Sequence, residues 1–338
     1  MYESFFGLGG NPFRLSPDPA FLFESRGHSK AHAYLRYGVS EGEGFIVVTG
    51  EIGAGKTTLC QALIRELDPE RVVAATLVST QLEADDLLRA VAIGFGLAVG
   101  ELEKTQLLEA IRSYLIGLAR EGRRALLIID EAQNLSARAL EELRMLSNFQ
   151  DGDRSLLQCF LLGQPELRTI MRAPAMQQLC QRVIASSHLG PLDPDETGAY
   201  IEHRLRNVAW RGDPSFDADL FKALHQASGG IPRRINGLCN RLLIRAYLER
   251  SHRIGARDLQ QVVAEMRDEL GPPPAQAAAA APAAAGQPNN PVRPFVMSAI
   301  AARLDALERN VKVVTELVRG VVAREQNAGR LGGRARRT

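Results

Sequence analysis

The sequence predicts an α/β fold: a parallel five-stranded sheet around a phosphate-binding loop, then an all-helical lid, a linker and a C-terminal amphipathic or coiled-coil helix. Three observations carry that prediction. The apolar run FIVVT at 45–49 leads into GEIGAGKT at 50–57 and then TLCQALIREL. A buried strand, a glycine-rich loop and a helix start in that order make G-x-x-x-x-G-K-[ST] a phosphate cradle rather than a glycine turn. A second apolar run, ALLII at 125–129, ends in Asp130 and Glu131, so two carboxylates fall at the ligand edge of a parallel sheet. From 193 to 270 the pattern becomes wholly helical.

Taken in order, residues 1–44 hold NPF at 11–13 and SPDPAFLF at 16–23, a turn-rich aromatic stretch, and then a helical pattern through Ala31, Leu35 and Val39. This segment either walls a base pocket or simply caps the core. In the loop, Gly50, Gly53 and Gly55 let backbone N–H groups turn inward around a β-phosphate. Lys56 can reach the β- and γ-phosphates, and the Thr57 hydroxyl is placed for Mg²⁺. Glu51, Ile52, Ala54 and Thr58 complete the candidate nucleotide-binding set.

The run VVAATLV at 72–78 reads as a second buried strand, and 84–95 and 107–118 read as helices. Asp130 is the candidate Mg²⁺ holder, through water, and Glu131 the group that orients or deprotonates an attacking water. A further strand at 156–163 ends at Gln164, which either contacts the γ-phosphate or water, or serves as a loop or capping residue. The fifth strand spans 183–189, and Arg182 just before it is the candidate for an arginine supplied in trans to a neighbouring subunit.

In the helical part, Asp193 and Asp195 precede apolar spacing as a helix start, and Gly229 and Gly230 mark a helix stop. Pro232 opens the next helix. Arg233 and Arg234 then sit near a helix N-terminus, where a cation opposes the dipole. A nucleotide phosphate arriving from the core would explain the placement, and a surface ion pair is the plainer alternative.

At 338 residues and 45% apolar content, the chain can bury a full core, which excludes the disordered and fibrous classes. The net charge is +2, but residues 271–338 carry ten Lys/Arg against four Asp/Glu, leaving the first 270 at −4. A mildly acidic body argues against one that coats itself on nucleic acid and leaves room only for a local basic groove. Cys60, Cys159, Cys180 and Cys239 have no paired spacing, as expected of reduced thiols in a cytoplasmic protein. MYESFFGLGG lacks a signal-peptide pattern and no apolar run reaches membrane-span length, so any inner-membrane contact is expected to be peripheral, through a partner or the tail.

Residues 271–294 are Pro/Ala-rich and read as a semi-rigid linker. Beyond them Ile300, Leu304, Leu307, Val311, Val314, Val318 and Val321 make a heptad seam within 295–326, either a small coiled coil or one helix folded on the body. A basic tail closes the chain at 327–338.

Strand, Walker A, Walker B, polar strand end, arginine before the fifth strand and a G-x-P-R lid together resemble an AAA+ ATPase, a P-loop NTPase. NPF with SPDP, EGEGFIVVTGE, IIDEAQNL, LLGQPEL, and GGIPRRIN with LCNRLL are similar to the general secretion pathway A (ExeA-like) ATPases. Within that family they look nearest to the subfamily at PEP-CTERM/exosortase (XrtA) loci, where exopolysaccharide genes lie nearby. The resemblance covers residues 1–270, divided as a nucleotide-binding core over 1–190 and a lid over 191–270. It implies ATP and Mg²⁺ as cofactors, with Lys56 and Thr57 in Walker A, Asp130 and Glu131 in Walker B, Gln164 as sensor 1, Arg182 as the finger and Arg233 as sensor 2. It further implies a homo-oligomer with a protein partner in an inner-membrane secretion or polysaccharide-export assembly. One departure stands out: the string before the fifth strand is LCQR, with Cys180 where the family leads one to expect another arginine. Longer relatives carry a membrane span and a periplasmic peptidoglycan-binding domain, and neither is expected here. A DNA-acting ATPase like those that select transposition targets, and a slow nucleotide-gated adaptor, are the alternatives.

Overall fold

Apolar runs long enough to be buried on both faces become the inner strands of a parallel sheet. β1 (Phe45–Gly50), β3 (Arg124–Asp130) and β4 (Leu157–Gly163) are buried almost throughout. The computed structural model describes residues 1–78, 82–100 and 102–270. It orders the five strands β2-β3-β4-β1-β5, every pair parallel. β2 (Val72–Val78) and β5 (Val183–Leu189) are the edges. The expectation of a buried strand at 72–78 therefore needs correction: Val78 is 65% exposed, because β2 has a neighbour on one side only. A β-branched run reads alike whether one or both flanks are paired.

Helices cover both faces. They are α1 (Arg26–Glu41), α2 (Lys56–Glu66), α3 (Ala84–Gly94), α4 (Lys104–Arg120), α5 (Ala137–Leu146) and the short α6 (Glu166–Met171). Ser25 and Ser136 cap α1 and α5 by accepting from the amides of His28 and Ala139. Glu103 and Gln106 form a capping box, so α4 begins ahead of the 107–118 span expected from apolar spacing.

The lid holds α7 (Pro194–Arg206), α8 (Ala218–Ser228), α9 (Pro232–Leu248) and α10 (Ala256–Leu270). Asp193 caps α7 with Asp195 in its first turn, as read, and Glu196 adds a capping box that the reading did not include; Gly229 ends α8 and Pro232 opens α9.

One hydrophobic cluster fills each face of the sheet, and another fills the lid. The lid cluster also contains Tyr2, Phe6, Leu8, Phe13 and Phe21, so the first residues of the chain pack with the lid rather than with the sheet. Register aligns Thr49 with Gly163, Ile129 with Leu161 and Gly50 with Leu189, which brings the phosphate loop, the acidic strand end and Gln164 to one edge. The linker, heptad helix and basic tail expected at 271–338 lie outside the described residues.

Candidate nucleotide site

The loop after β1 lies beneath the lid. Gly53 and Gly55 take φ of 84° and 101°, backbone that a side chain would strain. A Cβ on Gly53 would stand 2.2 Å from the Arg233 Cβ, and the Arg233 amide donates to the Gly53 carbonyl at 3.2 Å. The first turn of α9 thus rests directly on the loop. Between them opens a cleft of about 170 Å³, walled by residues 14–18 and 21–23, by His28, by the loop 52–58, by Glu131, and by Tyr200, Arg204, Arg233 and Asn236 of the lid.

Lys56 opens α2, is 5% exposed, and donates to the carbonyls of Gly50 at 2.7 Å and Glu51 at 3.1 Å. Burial lowers its pKa, and the nearby Glu131 and Asp130 carboxylates only partly offset that. The Thr57 hydroxyl donates to Asp130 Oδ2 at 2.6 Å. A hydroxyl and a carboxylate already in contact at a helix N-terminus fit the oxygen donor set of Mg²⁺. The N–H groups of the first turn of α2 have no intrahelical partner, which suits a phosphate.

Glu131 sits at φ 54°, ψ 40°, a left-handed conformation uncommon outside glycine. Its carboxylate accepts from the amide of Gln133 at 2.6 Å and that of Gln164 at 3.1 Å. Gln133 in turn accepts from the Gln164 backbone N–H at 2.9 Å, closing a small ring of amides around the acid. Burial by itself raises the Glu131 pKa, but both amide donors and the Lys56 charge outweigh it, and the net direction is down. The acid is therefore ionised at neutral pH, ready to hold or accept a proton from a polarised water.

His28 reaches under the loop from α1. Its Nε2 lies 3.0 Å from the Ala54 carbonyl and its Nδ1 2.7 Å from the Ser25 hydroxyl. A carbonyl only accepts, so Nε2 carries the proton and Nδ1 accepts from Ser25. Burial lowers the ring's pKa, which keeps it neutral.

The structure brings Gly50, Lys56, Thr57, Asp130, Glu131 and Gln164 to one end of the sheet and adds Arg233 from the lid. Arg182 stands apart. It lies at the start of β5, where its carbonyl accepts from the Phe45 amide, and its guanidinium donates to the carbonyl and hydroxyl of Ser147 at 3.0 and 3.3 Å. It does not reach its own cleft, and Arg234 is not part of the cleft wall. Sequence reading missed Gln133, His28, Tyr200, Arg204 and Asn236. Gln133 alone left a signal, two residues past Glu131 on a turn that brings both side chains to one side.

Residues 39–171 match the family model of an AAA domain. Over 273 residues the chain is 41% identical to general secretion pathway protein A of Aeromonas hydrophila, covering 80% of this chain and 50% of that protein. The chain thus spans about half the length of the curated relative it matches. Among solved structures it is similar to Cdc6p from Pyrobaculum aerophilum, at TM-score 0.58 and 15% identity over 80% of this chain and 74% of that one. Aeropyrum pernix ORC1 in complex with DNA gives TM-score 0.58 at 15% identity, over 77% and 70% of the two chains. Domain III of Thermotoga maritima DnaA gives 0.51 at 17% identity, over 77% of this chain and 100% of that one. At such identities the likeness establishes the fold alone, a P-loop AAA core with a helical lid, and the match to the AAA domain falls within that core.

Proposed function

We propose that the chain binds and hydrolyses MgATP as a secretion-associated ATPase, in the manner of general secretion pathway A proteins. Its hydrolysis would drive or regulate a membrane-associated export assembly, of the exopolysaccharide or protein-sorting kind found at PEP-CTERM/exosortase loci. The observation that carries the chemistry is the Thr57–Asp130 contact beside a carboxylate, Glu131, that two amides hold ionised. Gly50, Gly53 and Gly55 cradle the phosphates, Lys56 swings from the Gly50 carbonyl to the β- and γ-phosphates, and Arg233 meets them from the lid. Thr57 and Asp130 would hold Mg²⁺. When bound, Mg²⁺ neutralises charge on the phosphate oxygens. Glu131 orients and deprotonates the water, and Gln164 fixes the Glu131 carboxylate. Homo-oligomerisation would bring Arg182 to a neighbour's nucleotide.

The similarity to general secretion pathway protein A supports the secretion reading. No helix among the described residues is long and apolar enough to cross a membrane, which is compatible with peripheral attachment through a partner. Lys56→Ala is expected to abolish ATP binding, and Glu131→Gln to retain binding while losing about 10²–10⁴ in turnover. Calorimetric titration and a phosphate-release assay read these separately. Unchanged ATP affinity in the first variant, or near-normal turnover in the second, would remove that residue from the mechanism. Stimulation of turnover by duplex DNA that fades with salt would favour the DNA-acting alternative instead.

A further inference from the structure

Arg204 is a buried cation that the phosphate chemistry does not use. It sits on α7, only 6% exposed, at the wall of the nucleotide cleft. Its Nε donates to the Pro12 carbonyl at 2.6 Å, one Nη to the Tyr200 hydroxyl at 2.8 Å, and the other to the Arg14 carbonyl at 3.3 Å. All three acceptors are neutral, and among the described residues Arg204 enters no ion pair. The guanidinium also lies 4.8 Å from the centroid of Phe21, which Arg14 approaches at 4.6 Å. A buried charge with neutral partners is costly, so its five-donor fork serves geometry rather than charge neutralisation.

That geometry joins distant parts of the chain. On one side Arg204 holds the backbone at Pro12 and Arg14, the stretch leading to residues 15–18 and 21–23 that line the cleft together with the phosphate loop. On the other side, Tyr200 passes the link on by donating to Asn236 Oδ1 at 2.8 Å. Asn236 lies on α9, one turn beyond Arg233, whose amide holds Gly53. Asn207, just past α7, adds a second tie to the carbonyl of Ala20 at 3.1 Å.

We propose that Arg204 is a positioning residue for nucleoside specificity: it fixes residues 12–23 as the base-facing wall of the cleft and ties that wall, through Tyr200 and Asn236, to the helix resting on the phosphate loop. The inference rests on the ATP reading given above. Nucleoside binding and lid position then form one equilibrium, whereas the triphosphate chain is held by residues 50–57 and Arg233 without Arg204.

The test compares MgATP, MgGTP and magnesium tripolyphosphate on the full chain by calorimetric titration, with the thermal midpoint of each ligand-free variant as a fold check. Arg204→Met is expected to weaken MgATP by about tenfold or more and to narrow the ATP-over-GTP preference. Tripolyphosphate affinity stays within about twofold. Arg204→Lys, which keeps the charge but loses the fork, falls between. Tyr200→Phe removes only the hydroxyl link and decides the matter if Arg204→Met does not fold, since the same selective loss for MgATP is expected there. Equal loss for MgATP and tripolyphosphate, or MgATP affinity within about twofold of wild type in every folded variant, overturns the proposal. A wild-type protein that binds tripolyphosphate as tightly as MgATP would instead overturn the ATP reading itself.

Discussion

Glu131 shows how much of the chemistry depends on residues of no chemical fame. Its folded pKa is depressed, so the acid stays charged at neutral pH and gains a proton only as pH falls through that lowered value. The stability that its amide bonds contribute is present above the ordinary glutamate value and is lost over the same descent. Gln133→Leu removes the shorter donor and leaves the burial that raises the pKa, so the acid limb of the kcat profile is expected to move to higher pH. At its plateau kcat should fall by about tenfold, less than the loss from Glu131→Gln. A pH–rate series on both proteins measures this, and an unmoved acid limb would mean that Gln133 does not set the charge of Glu131. At this scale the sequence disclosed the residues that belong to short strings, such as Lys56, Thr57, Asp130 and Glu131. It hid His28 and Arg204, whose partners Ala54 and Pro12 lie 26 and 192 positions away. A side chain's neighbours in the fold leave no mark on its own local pattern.

Elements were legible wherever one physical cause dominated. Fully buried parallel strands read as unbroken apolar runs, and Pro232, Gly229 and the Asp193 start signal marked the lid helices. The edge position of β2 was not legible, because pairing on one side or two is a property of the sheet. Nor was the seating of α9 on the phosphate loop, which arises where Arg233 meets Gly53 across the cleft. That seating yields a sharp test. In Gly53→Ala the new methyl would stand 2.2 Å from the Arg233 Cβ, on backbone at φ 84° that itself costs a side chain about 1–2 kcal/mol. The first turn of α9 must then lift, and ATP affinity is expected to drop by at least about tenfold. Fluorescence titration checks this. Wild-type affinity in Gly53→Ala would mean that the contact between α9 and the loop does not support nucleotide binding.

For the whole molecule, the N-terminal segment alters the meaning of the boundary at residue 190. Tyr2, Phe6, Leu8, Phe13 and Phe21 complete the lid's hydrophobic cluster, and the chain then crosses to the sheet through Ser25 and α1. The lid is thus joined to the core both before α1 and after β5, which limits the ways hydrolysis could move it. Arg182 does not reach its own cleft, and its bonds to Ser147 tie it to the end of α5, the helix that follows Glu131. If it acts in trans, each active site draws Glu131 from one subunit and Arg182 from the next. Arg182→Ala and Glu131→Gln are each expected to be inactive alone. Mixed in equal amounts, they regain turnover, because some interfaces then pair an intact Glu131 with an intact Arg182. Arg182→Ala should also cost about 1 kcal/mol of stability from the lost Ser147 bonds, so its thermal midpoint separates a fold defect from a missing finger. Turnover that stays absent at every mixing ratio, with both variants folded and assembled, would place the complete site within one chain.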